Sequence, residues 1–198
     1  MKKPGIAVAR PNRYAIAAAC LLAAFAAAVL PPTQAAADDL LYDLLFEVTP
    51  VPGEQAVDVR VRLRQQRHLF REMRFDPGRV MQIAGDGEIL SGNRETTWRP
   101  PARGGELRWR VNARHERRGG GYDAWLDDDW GLFRAEDIIP RATTRTLRDA
   151  RSRTTLTFKL PAGWSAVSEY REVDGRARVT SDGRRFVQPS GWIVMGEL

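Results

Sequence analysis

The sequence holds one cysteine and two histidines in 198 residues. One Cys cannot close an internal disulfide, so no disulfide framework holds the fold together. One Cys and two His cannot complete a tetrahedral zinc site by themselves. No H-E-x-x-H occurs: His115-Glu116 is followed by Arg117, Arg118 and a glycine run, so the second His is missing. His115 reads as a solvated, Arg-flanked residue, and His68, between Arg67 and Leu69, as a surface residue. No G-x-S-x-G is present, so a nucleophile elbow is excluded. Gly119-Gly120-Gly121 is not followed by Lys-Ser or Lys-Thr, which excludes a phosphate-binding loop of that type. No sequence spacing supports a hydrolase built on Asp and Glu.

One long hydrophobic run does occur, at 15–30, with sixteen apolar residues. Lys2, Lys3, Arg10 and Arg13 precede it, and Pro31-Pro32 ends it. Thr33-Gln34-Ala35 and Ala35-Ala36-Ala37 both fit a small-residue cleavage site. Residues 1–37 therefore read as a secretory signal peptide, and 38–198 as the mature domain. An uncleaved anchor calls for about 20 apolar residues. A lipid-bearing Cys belongs after the apolar run, whereas Cys20 lies inside it. The expected location is periplasmic or secreted, with no stable membrane span after cleavage.

Cleavage changes the charge. Removing four basic residues from the 31 Lys and Arg leaves 27 against 25 Asp and Glu, a net of +2. A nucleic-acid partner needs a clustered basic excess to displace phosphate counterions, so none is expected.

The mature sequence reads as an all-β, antiparallel, sandwich-like domain. In VDVRVRLR, Val57, Val59, Val61 and Leu63 alternate with Asp58, Arg60, Arg62 and Arg64. Period two sends one set to the core and the other to water. Each buried Val or Leu contributes about 1.5–3 kcal/mol. Residues 106–113 and 154–160 repeat the pattern, and 41–48 reads as a strand buried on both faces. Shorter strands are predicted near 69–75, 79–83, 87–90, 95–99, 164–169, 177–180, 184–188 and 192–196. Asp174-Gly175 and Asp182-Gly183 predict tight hairpins. The stretch 122–142 reads as a long ordered loop with a helical turn or short strand, and 143–153 as a solvated connection. Trp98, Trp109, Trp164 and Trp192 are expected in the core. The apolar run at 192–198 suggests a domain truncated at its C-terminal end.

The candidate site is the aromatic-acidic stretch: Trp125, Asp127, Asp128, Asp129 and Trp130. Consecutive carboxylates can hold calcium, but the spaced D-x-D-x-D-G pattern is absent, and a solvated turn paired with arginines is favoured. Trp125, Trp130 and Phe133 can form a sugar- or protein-binding face, or anchor a long loop on the core. The anchor is the simpler reading. No metal, cofactor or catalytic residue is assigned.

Three segments carry a family resemblance: YDLLFEVTP with QAVDVRVRLR, YDAWLDDDWGLFRAEDIIP, and Leu160-Pro161-Ala162-Gly163-Trp164. Together they resemble the amino-terminal β domain of the glycyl aminopeptidase family of secreted zinc metallopeptidases. The resemblance implies a β domain ahead of a helical catalytic domain, often with a PDZ domain after it. The family's zinc ligands and base belong to the catalytic domain, and none transfers to a residue here. The expected role is that of a noncatalytic domain packing against a catalytic domain. The alternative is a stand-alone periplasmic module that binds a peptide or glycan near Trp125 and Trp130.

Overall fold

The computed structural model describes residues 40–198 except 117, 118, 120, 121 and 180–183. The expected signal segment, and the Asp182-Gly183 hairpin, lie outside the described residues.

Among the described residues, sixteen strands form three sheets. The largest runs β14-β15-β12-β1-β2-β7-β4. Its centre is β1 (Leu41–Val51), β2 (Ala56–Arg64), β7 (Gly104–Asn112) and β12 (Arg151–Phe158). β4 (Val80–Gly85) forms one edge, and β15 (Arg176–Val179) with β14 (Glu172–Val173) the other. The alternation in the sequence becomes rows of apolar side chains across this sheet. Ala177, Leu156, Phe46, Val61 and Leu107 stand in register over five strands. Phe158, Val48, Val59 and Trp109 form the next row. Most of these side chains are fully buried.

A four-stranded sheet covers that face. It comprises β11 (Ala142–Thr146), β3 (Phe70–Phe75), β6 (Thr96–Arg99) and β5 (Glu88–Ser91). Phe70 meets Tyr42 at 5.5 Å between ring centroids, and Phe75 meets Trp109 at 6.0 Å. Trp98 is completely buried and donates its indole N–H to the Asp86 carbonyl at 2.8 Å. Buried Gln65 closes the β2–β3 connection: its amide oxygen accepts from the Phe70 N–H at 2.7 Å, and its NH2 donates to the Phe70 carbonyl at 3.1 Å. This satisfies polar groups that would otherwise be desolvated without a partner.

The five-stranded sheet completes the same core. Its order is β13 (Ser165–Ser168), β16 (Trp192–Gly196), β10 (Trp130–Arg134), β9 (Tyr122–Leu126) and β8 (His115–Glu116). Ala124, Leu126, Phe133, Ile193 and Met195 join the single buried cluster. A one-turn helix, α1 (Ala135–Ile138), follows β10. Its first turn is closed by the Asp137 carboxylate accepting from the Arg134 N–H at 3.1 Å. Trp109 donates to the Ile138 carbonyl at 2.8 Å, which ties the seven-stranded sheet to this turn.

The all-β architecture agrees with the periodicity of the sequence, and outside the stretch 122–134 five particulars differ. β1 pairs with β12 in parallel, whereas the other paired strands are antiparallel. β1 is buried on one face only: Tyr42, Leu44, Phe46 and Val48 point inward, while Leu45 and its neighbours are half-buried on the other side. Residues 143–153 are not a solvated connection. They form β11 and the start of β12, and their Thr and Arg residues hide the strand because β11 is an edge. Residues 184–188 form no strand. Their backbone is held by side chains of β12 instead, through Val187 N–H to Ser152 Oγ and Thr154 Oγ1 to the Val187 carbonyl. Trp192 is not in the core; it is 49% exposed, because Ile193 and Met195 take the inward positions of β16.

Candidate functional site

The stretch 122–134 is a hairpin, not a loop. β9 leads into a turn at 127–129, and β10 returns from it. Asp127 builds the turn. One carboxylate oxygen accepts from the N–H groups of Asp129 and Trp130, both at 3.0 Å. The other accepts from the Trp125 indole at 2.8 Å. The Asp127 N–H donates in turn to the Trp130 carbonyl. The Trp130 N–H, with the Trp125 indole next, holds the Asp127 carboxyl below its ordinary value. Both oxygens of Asp127 are thus spent on the hairpin. Asp128 and Asp129 are exposed, and no group of three or more His, Cys, Asp or Glu among the described residues could hold a metal ion.

Alternation sorts the hairpin's side chains into two sets. Gly131 and Phe133 face the core, and Gly131 is small because a Cβ there would stand 2.7 Å from Leu126 Cδ1. Trp130, Leu132 and Arg134 face outward. The ladders extend the outward set across the sheet: Trp125 pairs with Leu132, Leu132 with Val194, and Val194 with Val167. An apolar row therefore crosses four strands on the outer face. Val167 is 59% exposed. Trp130, at 43% exposure, flanks the row on one side, next to Leu132 along β10, and Trp192 flanks it on the other, next to Val194 along β16.

Aromatic contacts order this face. Trp125 and Trp130 stack with centroids 6.5 Å apart and planes at 29°. Arg114 lies over the Trp125 ring at 4.7 Å, and Arg134 over Trp192 at 4.8 Å. Cation–π pairs of this kind are worth about 0.5–1 kcal/mol at exposed positions. They leave the row with an apolar middle and a cationic rim.

Sequence reading placed Trp125, Asp127, Asp128, Asp129 and Trp130 together, and the structure brings all five to this hairpin. It divides their roles: Asp127 holds the turn, Trp125 and Trp130 form part of the face, and Asp128 and Asp129 lie at the tip. Leu132, Val167, Trp192 and Val194 were missed. Their signal was the outward parity of β10, β13 and β16, which becomes legible only once the pairing register is known. His115 lies half-buried in β8, opposite Ala124, and His68 is exposed.

No family model matches the chain, and no curated protein matches it. Among solved structures, an M1 zinc metallopeptidase from Deinococcus radiodurans, a mutant bound to a Tyr-Ser-Ala substrate, is similar at 17% identity and a TM-score of 0.39. The M1 zinc metallopeptidase from the same organism is similar at 18% identity and a TM-score of 0.36. Each similarity covers 79% of this chain and 41% of that chain, so the sequence spans less than half the length of these neighbours.

Proposed function

We propose that the chain is a noncatalytic β domain of an exported, metallopeptidase-like protein, and that the outer face of its five-stranded sheet packs against a catalytic domain. The observation that carries this reading is the apolar row Trp125–Leu132–Val194–Val167 with exposed Trp130 and Trp192 beside it. Contiguous exposed apolar patches mark protein contacts more often than they mark open water. Buried aromatics flanked by arginine are the side chains that anchor such contacts. The segments that resemble the peptidase family support the same reading: two of them are β1 with β2 and the β9–β10 hairpin. Export is proposed from residues 1–37 of the sequence.

The stacked Trp125–Trp130 pair favours a second reading, a stand-alone module that holds a peptide or glycan on that platform. Arg114 already occupies one approach to Trp125, which reduces the platform open to a sugar ring. An apolar-dye titration of the folded chain separates the two. The docking reading expects strong dye binding that falls when Trp130→Ser and Trp192→Ser are introduced together. It also expects no peptidase activity and no stoichiometric zinc. Weak dye binding that the double variant leaves unchanged, combined with saturable glycan or peptide binding lost in Trp130→Ser, establishes the module instead. One equivalent of zinc lost in His115→Ala refutes both.

A further inference from the structure

The outer face of the seven-stranded sheet carries charge, and the arginines at its centre are matched. Arg60 pairs with Glu47 at 3.4 Å and Glu106 at 3.1 Å, and Arg62 with the same two carboxylates at 3.4 Å. Arg110 grips Asp58, with Nε to Oδ1 at 2.6 Å and Nη2 to Oδ2 at 2.8 Å, and also reaches Glu54. Arg153 holds Asp43 at 2.7 Å. Six exposed cations among the described residues break the pattern: Arg64, Arg151, Arg176 and Arg178, and with them Arg108 and Lys159. Among the described residues Arg108 and Lys159 make no ion pair and no side-chain hydrogen bond, and both are exposed.

Two of the unmatched cations, Arg108 and Lys159, line one concavity of about 580 Å³, together with Arg60 and Arg110. Its carboxylates, Glu47 and Asp58, are those already engaged by Arg60 and Arg110. The lining therefore carries four cations against two anions. Its wall comes from an irregularity in β4. The β4–β7 ladder shifts register between Met81 and Ala84, and Gln82 takes a positive φ of 53° there. Bulges of this kind re-aim side chains at sheet edges and beside binding sites. Here the bulge sets Gln82, Ile83 and Ala84 along the concavity, which adds an apolar strip to a cationic floor. The volume falls within the range of about 300–1,000 Å³ typical of small-molecule sites.

We propose that this concavity binds a small ligand bearing a carboxylate or phosphate group, held by Arg108 and Lys159, with its apolar portion against Ile83 and Ala84. An oxyanion there supplies the counter-charge that neighbouring Arg60 and Arg110 obtain from Glu47, Glu106 and Asp58, and charge-assisted hydrogen bonds are the stronger kind. The site lies on a different sheet from the proposed docking face and does not depend on it.

Calorimetric titration of the full chain with inorganic phosphate, with N-acetylglycine and with neutral N-acetylglycinamide tests this. Saturable binding of phosphate alone assigns a phosphate ligand, and binding of N-acetylglycine alone a carboxylate. In either case N-acetylglycinamide does not bind, and the double variant Arg108→Gln, Lys159→Gln loses about tenfold in affinity or more. Lys159→Arg restores most of it, and amide shift changes on titration fall at Gln82–Ala84 and Arg108. The proposal is overturned if neither anion binds saturably. It is equally overturned if the folded double variant binds as the parent does, or if the shift changes lie elsewhere.

Discussion

Asp127 shows how much one side chain settles. In sequence it belongs to a run of three acids and looks interchangeable with its neighbours. In the fold it accepts three N–H donors, while Asp128 and Asp129 are exposed. Asp127→Ala is expected to lower stability by about 1 kcal/mol, whereas Asp128→Ala and Asp129→Ala leave it nearly unchanged. The pH dependence follows from the depressed carboxyl. Its contribution is fully present above the ordinary Asp value of about 3.9 and fades as pH falls through the lower folded value. Denaturant unfolding of Asp127→Asn beside the parent should therefore show a gap at neutral pH that narrows in acid. Gly104 is a second position where one residue decides. It stands at φ +106°, and a Cβ would overlap the Leu63 carbonyl oxygen. Gly104→Ala should cost about 2–3 kcal/mol, read as a lower unfolding midpoint.

At the scale of elements, legibility followed the strength of the alternation. β2 is readable because four apolar residues alternate with four charged ones, and both sets keep their faces in the sheet. Asp174-Gly175 is readable because both residues take positive φ, 53° and 70°, as a tight hairpin requires. β11 is not readable, since an edge strand of Thr and Arg has no apolar stripe to display. The β9–β10 hairpin is half readable: its aromatics and acids mark it as ordered, but Gly131 stands at an inward position where an apolar side chain would have shown the period. Buried charge was equally hidden. Glu72 lies in the middle of β3, nearly buried, with Arg99 at 2.9 Å and Arg74 at 3.4 Å. The Arg99 hydrogen bond is the main reason its carboxyl sits below the ordinary range. Removing one partner from a desolvated charge costs more than the pair's net worth. Arg99→Ala is therefore expected to destabilise the fold, and Glu72→Gln to do so by less. The Arg99→Ala deficit should shrink in acid, where Glu72 is protonated in folded and unfolded chains alike. Thermal melts across pH check both.

At the scale of the whole molecule, three sheets share one core and present two outer faces of opposite character. The seven-stranded sheet shows water charged side chains, ion-paired at its centre; the five-stranded sheet shows it a partly exposed row of Trp, Leu and Val with Trp130 and Trp192 beside it. The first was legible from the charged alternates of β2. The second was not, because Trp125, Leu132, Val167 and Val194 come from four separate segments and align only through register. That asymmetry underlies the proposed role: a charged face tolerates solvent, and an apolar face is stabilised by cover. Sedimentation of the full chain over a concentration series, beside the triple variant Trp130→Ser, Val167→Ser, Trp192→Ser, tests this most directly. The account predicts that the parent self-associates through the uncovered face and that the triple variant, with its melting temperature kept, associates measurably less. A parent that remains monomeric throughout the series, or a triple variant that associates just as strongly, would contradict it.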